Sequence, residues 1–444
     1  ENYDASAGFR AHYGQQVFLF NPTDREGRTA RYNPLAYIDR TDPDDVIIEL
    51  QKIATMLFVA PEHGEAFWAN GARTGFAGVG AWLAETSDEP LTMGAIYRHL
   101  TDGDARSYFK KELANPRLYL STGCRTALSD FAGGSDNSFA DIKKTITNVL
   151  GLWLNPLVDA ATATSDFDLR QLRSRPMSIY LGVSPDELDR IAPLYNLLFQ
   201  QLIDLNVRAL PDENSAVPVL VILDEFARLG RASVIASAFS YVAGYGIRLM
   251  PVIQSRSQLR GVYGEHVADE IVANCGVEVA FTPKELRVAN DLSERIGYIG
   301  QESVTKSLTI NGLLANRSKS ISEQRRALML PQELMQFPPD KLILLRGGIP
   351  PIIGTKIAYF SNRFFKARAF PPPPVQAIPK PSIDAGPAPA FRDMTDDEAA
   401  GKFTRPMNQE DVFTKDCPSQ MADLVTINHN GEVTGILDEG DEYA

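Results

Sequence analysis

Cysteine is scarce in this chain of 444 residues: Cys124, Cys275 and Cys417 lie far apart and form neither a Cys-x-x-Cys pair nor a Cys/His cluster. That scarcity argues against a disulfide framework or a zinc site and fits a reducing compartment. The five histidines, His12, His63, His99, His266 and His429, are equally scattered, without metal-ligand spacing. Long apolar runs are missing as well; none approaches the roughly 18 to 20 residues that cross a bilayer, and the first residues do not read as a signal peptide. An initiating methionine is also lacking, and Glu1-Asn-Tyr reads as the middle of a domain, so an upstream part is expected.

A basic excess is absent too, with a net charge of −12. That deficit is local. From Pro381 onward there are 14 acidic and 4 basic residues, which leaves 42 acidic against 40 basic before it. A nearly neutral body can still carry a local basic lining, so charge does not exclude nucleic acid. Apolar material is plentiful, with 44% hydrophobic and 23% charged residues. That is enough for a large core spread over about two to three domains.

The run Val217-Pro-Val-Leu-Val-Ile-Leu-Asp-Glu-Phe226 is the most informative stretch. Val219 to Leu223 shows no alternation and predicts a strand buried on both faces, at the centre of a parallel sheet. Asp224 and Glu225 then fall at the strand's carboxyl end, where open α/β sheets place their ligands. In nucleotide-hydrolysing motors the first acid there holds the Mg²⁺ shell and the second polarises the attacking water. A strand running into an acidic helix cap would look the same in these ten residues.

Further strands are expected at Val17–Phe20, Met177–Val183, Arg248–Ile253, Val277–Phe281 and Lys341–Arg346, with a last apolar stretch around Ile352–Phe360. Helical segments between them give the rhythm of a parallel α/β fold. The long interval after the first strand differs. Asp42-Pro43-Asp44-Asp45 is a helix start, and Val46, Ile47, Leu50, Ile53 and Leu57 follow at helical spacing. Helices are also expected over 65–83, 92–100 and 141–154, which makes an all-α insert at 42–165. The Ser/Thr-rich segment through Ser322 reads as a linker. Beyond Pro371–Pro374 the composition predicts a Pro-rich, acidic and largely disordered tail.

Downstream of the acids, a helix over 232–243 leads to a second strand that ends in Gln254. An amide at that tip can contact a γ-phosphate or the attacking water, so Gln254 is the sensor candidate. At this point LDEFARLG and SYVAGYGIRLMPVIQSRSQLRGVYG resemble the type IV secretion coupling proteins, the RecA-like ATPases of conjugative DNA transfer. ENYDASAGFR, VFLFNPTDREGRTARYNPL, EAFWANGAR, RPMSIYLGVSPDEL, NDLSERIGY and RRALMLPQEL agree, so the resemblance runs to about residue 360.

The resemblance implies a RecA-like nucleotide domain of the P-loop NTPase type, a mostly parallel sheet flanked by helices, with an inserted all-α domain. Residues 1–41 and 166–370 would form the nucleotide-binding domain, 42–165 the insert and 371–444 the tail. It also implies a homo-hexameric motor on the cytoplasmic face of the bacterial inner membrane. Such a motor uses ATP and Mg²⁺ to pass relaxase-bound single-stranded DNA or protein effectors to the components of a type IV secretion channel. By position, Asp224 matches the Mg²⁺-site acid that acts through water, Glu225 the catalytic base, Gln254 the sensor and Arg326 an arginine contributed across the subunit interface.

One departure is large: no G-x-x-x-x-G-K-[ST] occurs anywhere in the chain. The phosphate cradle and its lysine are missing, so these residues alone are expected to bind ATP poorly or not at all. Arg228, Arg231 and Arg325 are weaker candidates for the trans arginine. Trp68 reads as packing between helices rather than a base-stacking platform, and Lys110, Lys111, Lys143 and Lys144 fit a solvated helix face as well as a DNA path. The acidic tail could dock an adaptor or serve only solubility. Two rival readings stand beside the motor: a truncated, non-enzymatic module for binding substrates or adaptors, and a chromosomal DNA translocase of the same superfamily.

Overall fold

The computed structural model describes residues 2–60, 66–212, 216–311, 314–379, 425–427 and 433–436, leaving aside the side chains of 303–321, 425–427 and 433–436. They belong to two units, Glu1–Pro381 and Ser382–Ala444. In the second unit Val425–Ile427 pairs antiparallel with Val433–Ile436. The expectations for the acidic tail fall on residues that otherwise lie outside those described.

The first unit opens with α1 (Asn2–His12) and β1 (Gln16–Phe20). A block without strands follows: α2 (Pro43–Leu57), α3 (Phe67–Thr86), α4 (Met93–Thr101), α5 (Ala105–Ala114), α6 (Thr122–Gly133), α7 (Asp136–Leu150) and α8 (Pro156–Ala161). The expected cap is present: the Asp42 carboxylate accepts from the amides of Asp44 and Asp45 at 3.0 and 3.4 Å, with Pro43 in the first turn. At the carboxyl end of α3, the Arg40 guanidinium donates to the carbonyls of Leu83, Ala84, Ser87 and Glu89. A cation thereby satisfies acceptors that the helix cannot.

α3 is the hub of the block and is buried along most of its length. Its glycines let neighbours close to backbone contact. A Cβ at Gly78 would sit 2.9 Å from the Leu128 nitrogen of α6, and one at Gly75 would lie 2.7 Å from the Phe131 ring. Trp68 is half-buried against the main core, as expected for a packing residue.

The remaining elements are β2 (Met177–Leu181), α9 (Leu188–Asn206), β3 (Val219–Leu223), α10 (Ser233–Ala238), β4 (Ile247–Pro251), α11 (Arg256–Tyr263), α12 (Glu265–Ala273), β5 (Val277–Ala280), α13 (Leu286–Ile296), β6 (Tyr298–Asn311), β7 (Leu314–Ala327), α14 (Pro331–Met335), β8 (Lys341–Arg346), β9 (Ile352–Thr355) and α15 (Arg363–Lys366). β1 pairs parallel with β2, and β3 parallel with β4. β8 lies antiparallel between β5 and β9. One buried cluster runs from Phe20 through the helical block to Ile271, so block and strands share a core. The RYNPL loop helps to join them: Tyr32, fully buried, donates to the Gln201 side chain of α9, and Gln201 donates to the Pro34 carbonyl at 2.6 Å.

Three expectations need correction. The segment through Ser322 is no linker: β6 and β7 form a regular antiparallel hairpin from Tyr298↔Ala327 to Asn311↔Leu314. Its Ser/Thr-rich composition reads as a linker, yet threonine is itself β-branched, and with Val304, Ile310 and Ile321 it favours strands. The helix expected over 232–243 is shorter, ending at Ala238 before a 3₁₀ turn at Val242–Tyr245. Finally, β3 is not buried on both faces. Val221 and Leu223 point into the core, while Leu220 and Ile222 stand 56% and 54% exposed. Helices cover one face of the β3–β4 pair, and nothing among the described residues covers the other.

Candidate functional site

β3 and β4 stay in register to their carboxyl ends, Leu223 opposite Pro251. Pairing continues one step further, with the Val252 amide donating to the Leu223 carbonyl at 2.9 Å and the Phe226 amide to the Val252 carbonyl at 3.1 Å. This brings the turn after β3 alongside the turn after β4. Across the gap the Gln254 side-chain amide donates to Glu225 Oε1 at 2.7 Å. Asp224, on the exposed side of the turn, accepts at Oδ2 from the Asn2 amide of α1 at 3.1 Å.

The turn itself is strained. Glu225 has φ 52° and ψ 40°, the left-handed region, and is the only non-glycine with positive φ among the described residues. An L-residue there costs about 1–2 kcal/mol. What holds it is the packing of its neighbour: Phe226 is fully buried, stacked on the Tyr263 ring at 5.4 Å and tilted against Phe239. The Tyr263 hydroxyl donates to the Gly230 carbonyl at 3.2 Å and accepts from the Ala232 amide at 3.3 Å, closing the loop from behind. Burial pushes that phenol up to about 12, so it stays a donor across the physiological range. A large apolar side chain inside and two hydrogen bonds behind fix a carboxylate that no local preference would place there.

The chain from Gln254 onward is anchored as well. Ser255 caps α11, and Arg256 donates to Asp291 of α13 and Glu278 of β5, both at 3.0 Å. Arg295 completes the cluster, 2.6 Å from Glu278. Burial would raise the Glu278 carboxyl, but hydrogen bonds and charge from Arg295 and Arg256 outweigh it and hold the group below its ordinary value. The strand tip that carries Gln254 is thus tied to β5 and α13 through four charged side chains.

The structure therefore brings three of the four predicted site residues together: Asp224, Glu225 and Gln254. Arg326 sits apart at the end of β7, paired at 2.9 Å with Glu333 of α14. No described contact joins it to the acids. Asp224 fits a hard divalent cation held through water, being an exposed carboxylate whose described hydrogen-bond partner is a neutral amide. Among the described residues no group of three or more His, Cys, Asp or Glu side chains could hold a metal directly.

The family model for type IV secretory system conjugative DNA transfer matches residues 1–380. The chain belongs to that family. Protein VirD4 of Rhizobium radiobacter is 32% identical over 371 residues, which cover 82% of this chain and 53% of that protein. Conjugal transfer protein TraG of Escherichia coli is 25% identical over 414 residues, covering 84% and 64%. The chain thus spans about half the length of its VirD4 relatives. Among solved structures, the coupling protein TrwB in complex with sulphate superposes with a TM-score of 0.56 at 18% identity, over 83% of this chain and 87% of that one. TrwB in complex with ADP and Mg²⁺ gives 0.54 at 17% identity, over 83% and 86%. The fold is the RecA-like one of these coupling proteins.

Several residues around the acids were invisible to motif reading. Asn2 lay in the ENY segment that carries the coupling-protein resemblance, yet nothing in the sequence pointed it at Asp224. Phe226 and Tyr263, 37 positions apart, meet only through the fold. Arg256 in QSRSQLR was a weak signal for a charged anchor beside Gln254.

Proposed function

We propose that this chain is the cytoplasmic portion of a type IV secretion coupling ATPase, which recruits relaxase-bound DNA or protein effectors and couples ATP hydrolysis to their transfer. One observation carries the reading: Gln254 Nε2 lies 2.7 Å from Glu225 Oε1, at the tips of adjacent parallel strands in a chain of the conjugative DNA transfer family. The direct bond from the Gln254 amide orients the Glu225 carboxylate, to which an attacking water could be presented when a nucleotide arrives. TrwB complexed with ADP and Mg²⁺ supports the same cofactors in the intact protein.

In this reading Glu225 takes a proton from the attacking water. Gln254 keeps the carboxylate oriented and reports on the γ-phosphate. Asp224 would hold Mg²⁺ through water, and the ion would supply neutralising charge to the phosphates. Arg326 would act on a neighbouring subunit of a hexamer, once released from Glu333. Inner-membrane anchoring and the secretion channel as destination belong to the same proposal; no helix among the described residues is long and apolar enough to cross a membrane.

The test needs a protein that also supplies a phosphate loop. There Glu225→Gln should leave ATP binding intact and lower kcat by about 10²–10⁴-fold, the usual worth of a general base. Normal turnover would sink the assignment.

A further inference from the structure

The chain after α15 returns to the beginning of the first unit. Phe370 stacks on His12 at 4.0 Å with planes 17° apart. The Tyr3 hydroxyl donates to the Pro373 carbonyl at 2.7 Å. Ala377 bridges to Arg28, and the Ile378 amide donates to the Gly27 carbonyl at 2.9 Å. Residues 370–378 therefore form a strap across α1 and the turn after β1. The fit is close: a Cβ on Gly8, in the middle of α1, would collide with the Phe370 and Pro371 carbonyl oxygens.

Beneath the strap, α1 rests on β2, with Ser6 Oγ 2.8 Å from the Tyr180 hydroxyl and the Tyr3 ring edge-on to Tyr180 at 5.2 Å. Its first turn carries the Asn2 amide to Asp224. The strap, α1 and Asp224 are thus linked in series by described contacts.

We propose that Asn2 is a positioning residue for Asp224, and that the strap holds α1 where Asn2 can reach it. A proline-rich segment suits the task, since it is stiff before docking and loses little freedom on binding. The device gives whatever engages the chain beyond residue 379 a mechanical route to the acid pair: lifting the strap frees α1, and freeing α1 removes the donor from Asp224. Its consequence for catalysis rests on Asp224 being the magnesium-site acid, whereas the linkage itself does not.

Hydrogen–deuterium exchange on the 444-residue chain without nucleotide tests the linkage separately from ATPase activity. The amides of Phe226 and Arg228 report on the acid turn, those of α1 on the helix, and those of α5 (Ala105–Ala114), in the helical block, serve as a distant control. Asn2→Leu keeps most of the bulk, adds no charge beside Asp224 and removes the donor. It should speed exchange at Phe226 and Arg228 by about threefold to tenfold, the worth of one hydrogen bond. A merely space-filling Asn2 would leave the rates at wild type, which overturns the first half. Gly8→Val, which expels the strap, should speed exchange in α1 and in the acid turn together, with the control unchanged. Loosening of α1 alone, or a uniform rise that includes the control, overturns the second half. Tyr3→Phe, which removes only the strap hydrogen bond and adds no bulk, should give the same pattern at smaller amplitude; no change in either segment would count against the strap.

Discussion

In the helical block α3 is enclosed on nearly every side, and Gly75 and Gly78 bring α6 to within backbone contact of it. Around the acids, β3 and β4 bury one face, through Val221, Leu223 and Ile247, yet leave Leu220, Ile222 and Met250 exposed on the other. The block is finished by its own residues, whereas the strand pair keeps an apolar face with no partner among those described. Where a region is closed on itself, side-chain volume is the constraint. Where it is half open, backbone geometry is what the packing protects: Phe226 and Tyr263 are spent on holding Glu225 in a conformation it does not prefer.

The contrast can be broken by substitution, and the largest effect is expected at the anchor of the turn. Phe226→Ala should cost about 3–5 kcal/mol, the loss of a fully buried aromatic, read as a lower urea midpoint. If it cost less than the substitutions in α3, the acid turn would not be the tightly held element described. Gly78→Val comes next, at about 1–3 kcal/mol, because the new side chain meets the Leu128 backbone, which cannot move aside as a side-chain end could.

Acid is a gentler probe of the strand side. Arg295 and Arg256 overcome burial to hold Glu278 below its ordinary value of 4.5. A depressed folded value means the stabilisation is complete above the unfolded value and drains away as pH falls through the folded one. Urea midpoints taken from about pH 6 down to about pH 3 should fall more steeply in wild type than in Glu278→Gln. Parallel slopes would mean the four-charge cluster contributes no linkage. The smallest change is expected on the open face: Leu220→Thr or Ile222→Thr should shift stability by no more than about 0.5 kcal/mol. A loss comparable to a core substitution would show that this face is covered after all.

How much could be read from the sequence differed between these regions. Helical periodicity and Asp42-Pro43 located the start of the block, because capping and amphipathic spacing are local rules. Val219–Leu223 was placed to the residue as a strand, but its apolar run implied two buried faces when only one is buried within the described chain. Composition records what a strand is suited to, not what is present to cover it. The hairpin β6–β7 was lost for the opposite reason, since a polar, Ser-rich stretch resembles a linker until its register is seen. Of the site, Asp224, Glu225 and Gln254 were legible as strand-tip residues, while their support from Asn2, Phe226, Tyr263 and Arg256 depended on contacts between distant segments.

Glu225 is the one position where shape and chemistry ask for different amino acids. Its left-handed backbone would be most comfortable as glycine, or next as asparagine, while a base requires a carboxylate. In a saturation scan its ranking by thermal stability and its ranking by turnover should therefore run in opposite directions. A library screened for robustness alone would discard the residue on which the proposed chemistry depends.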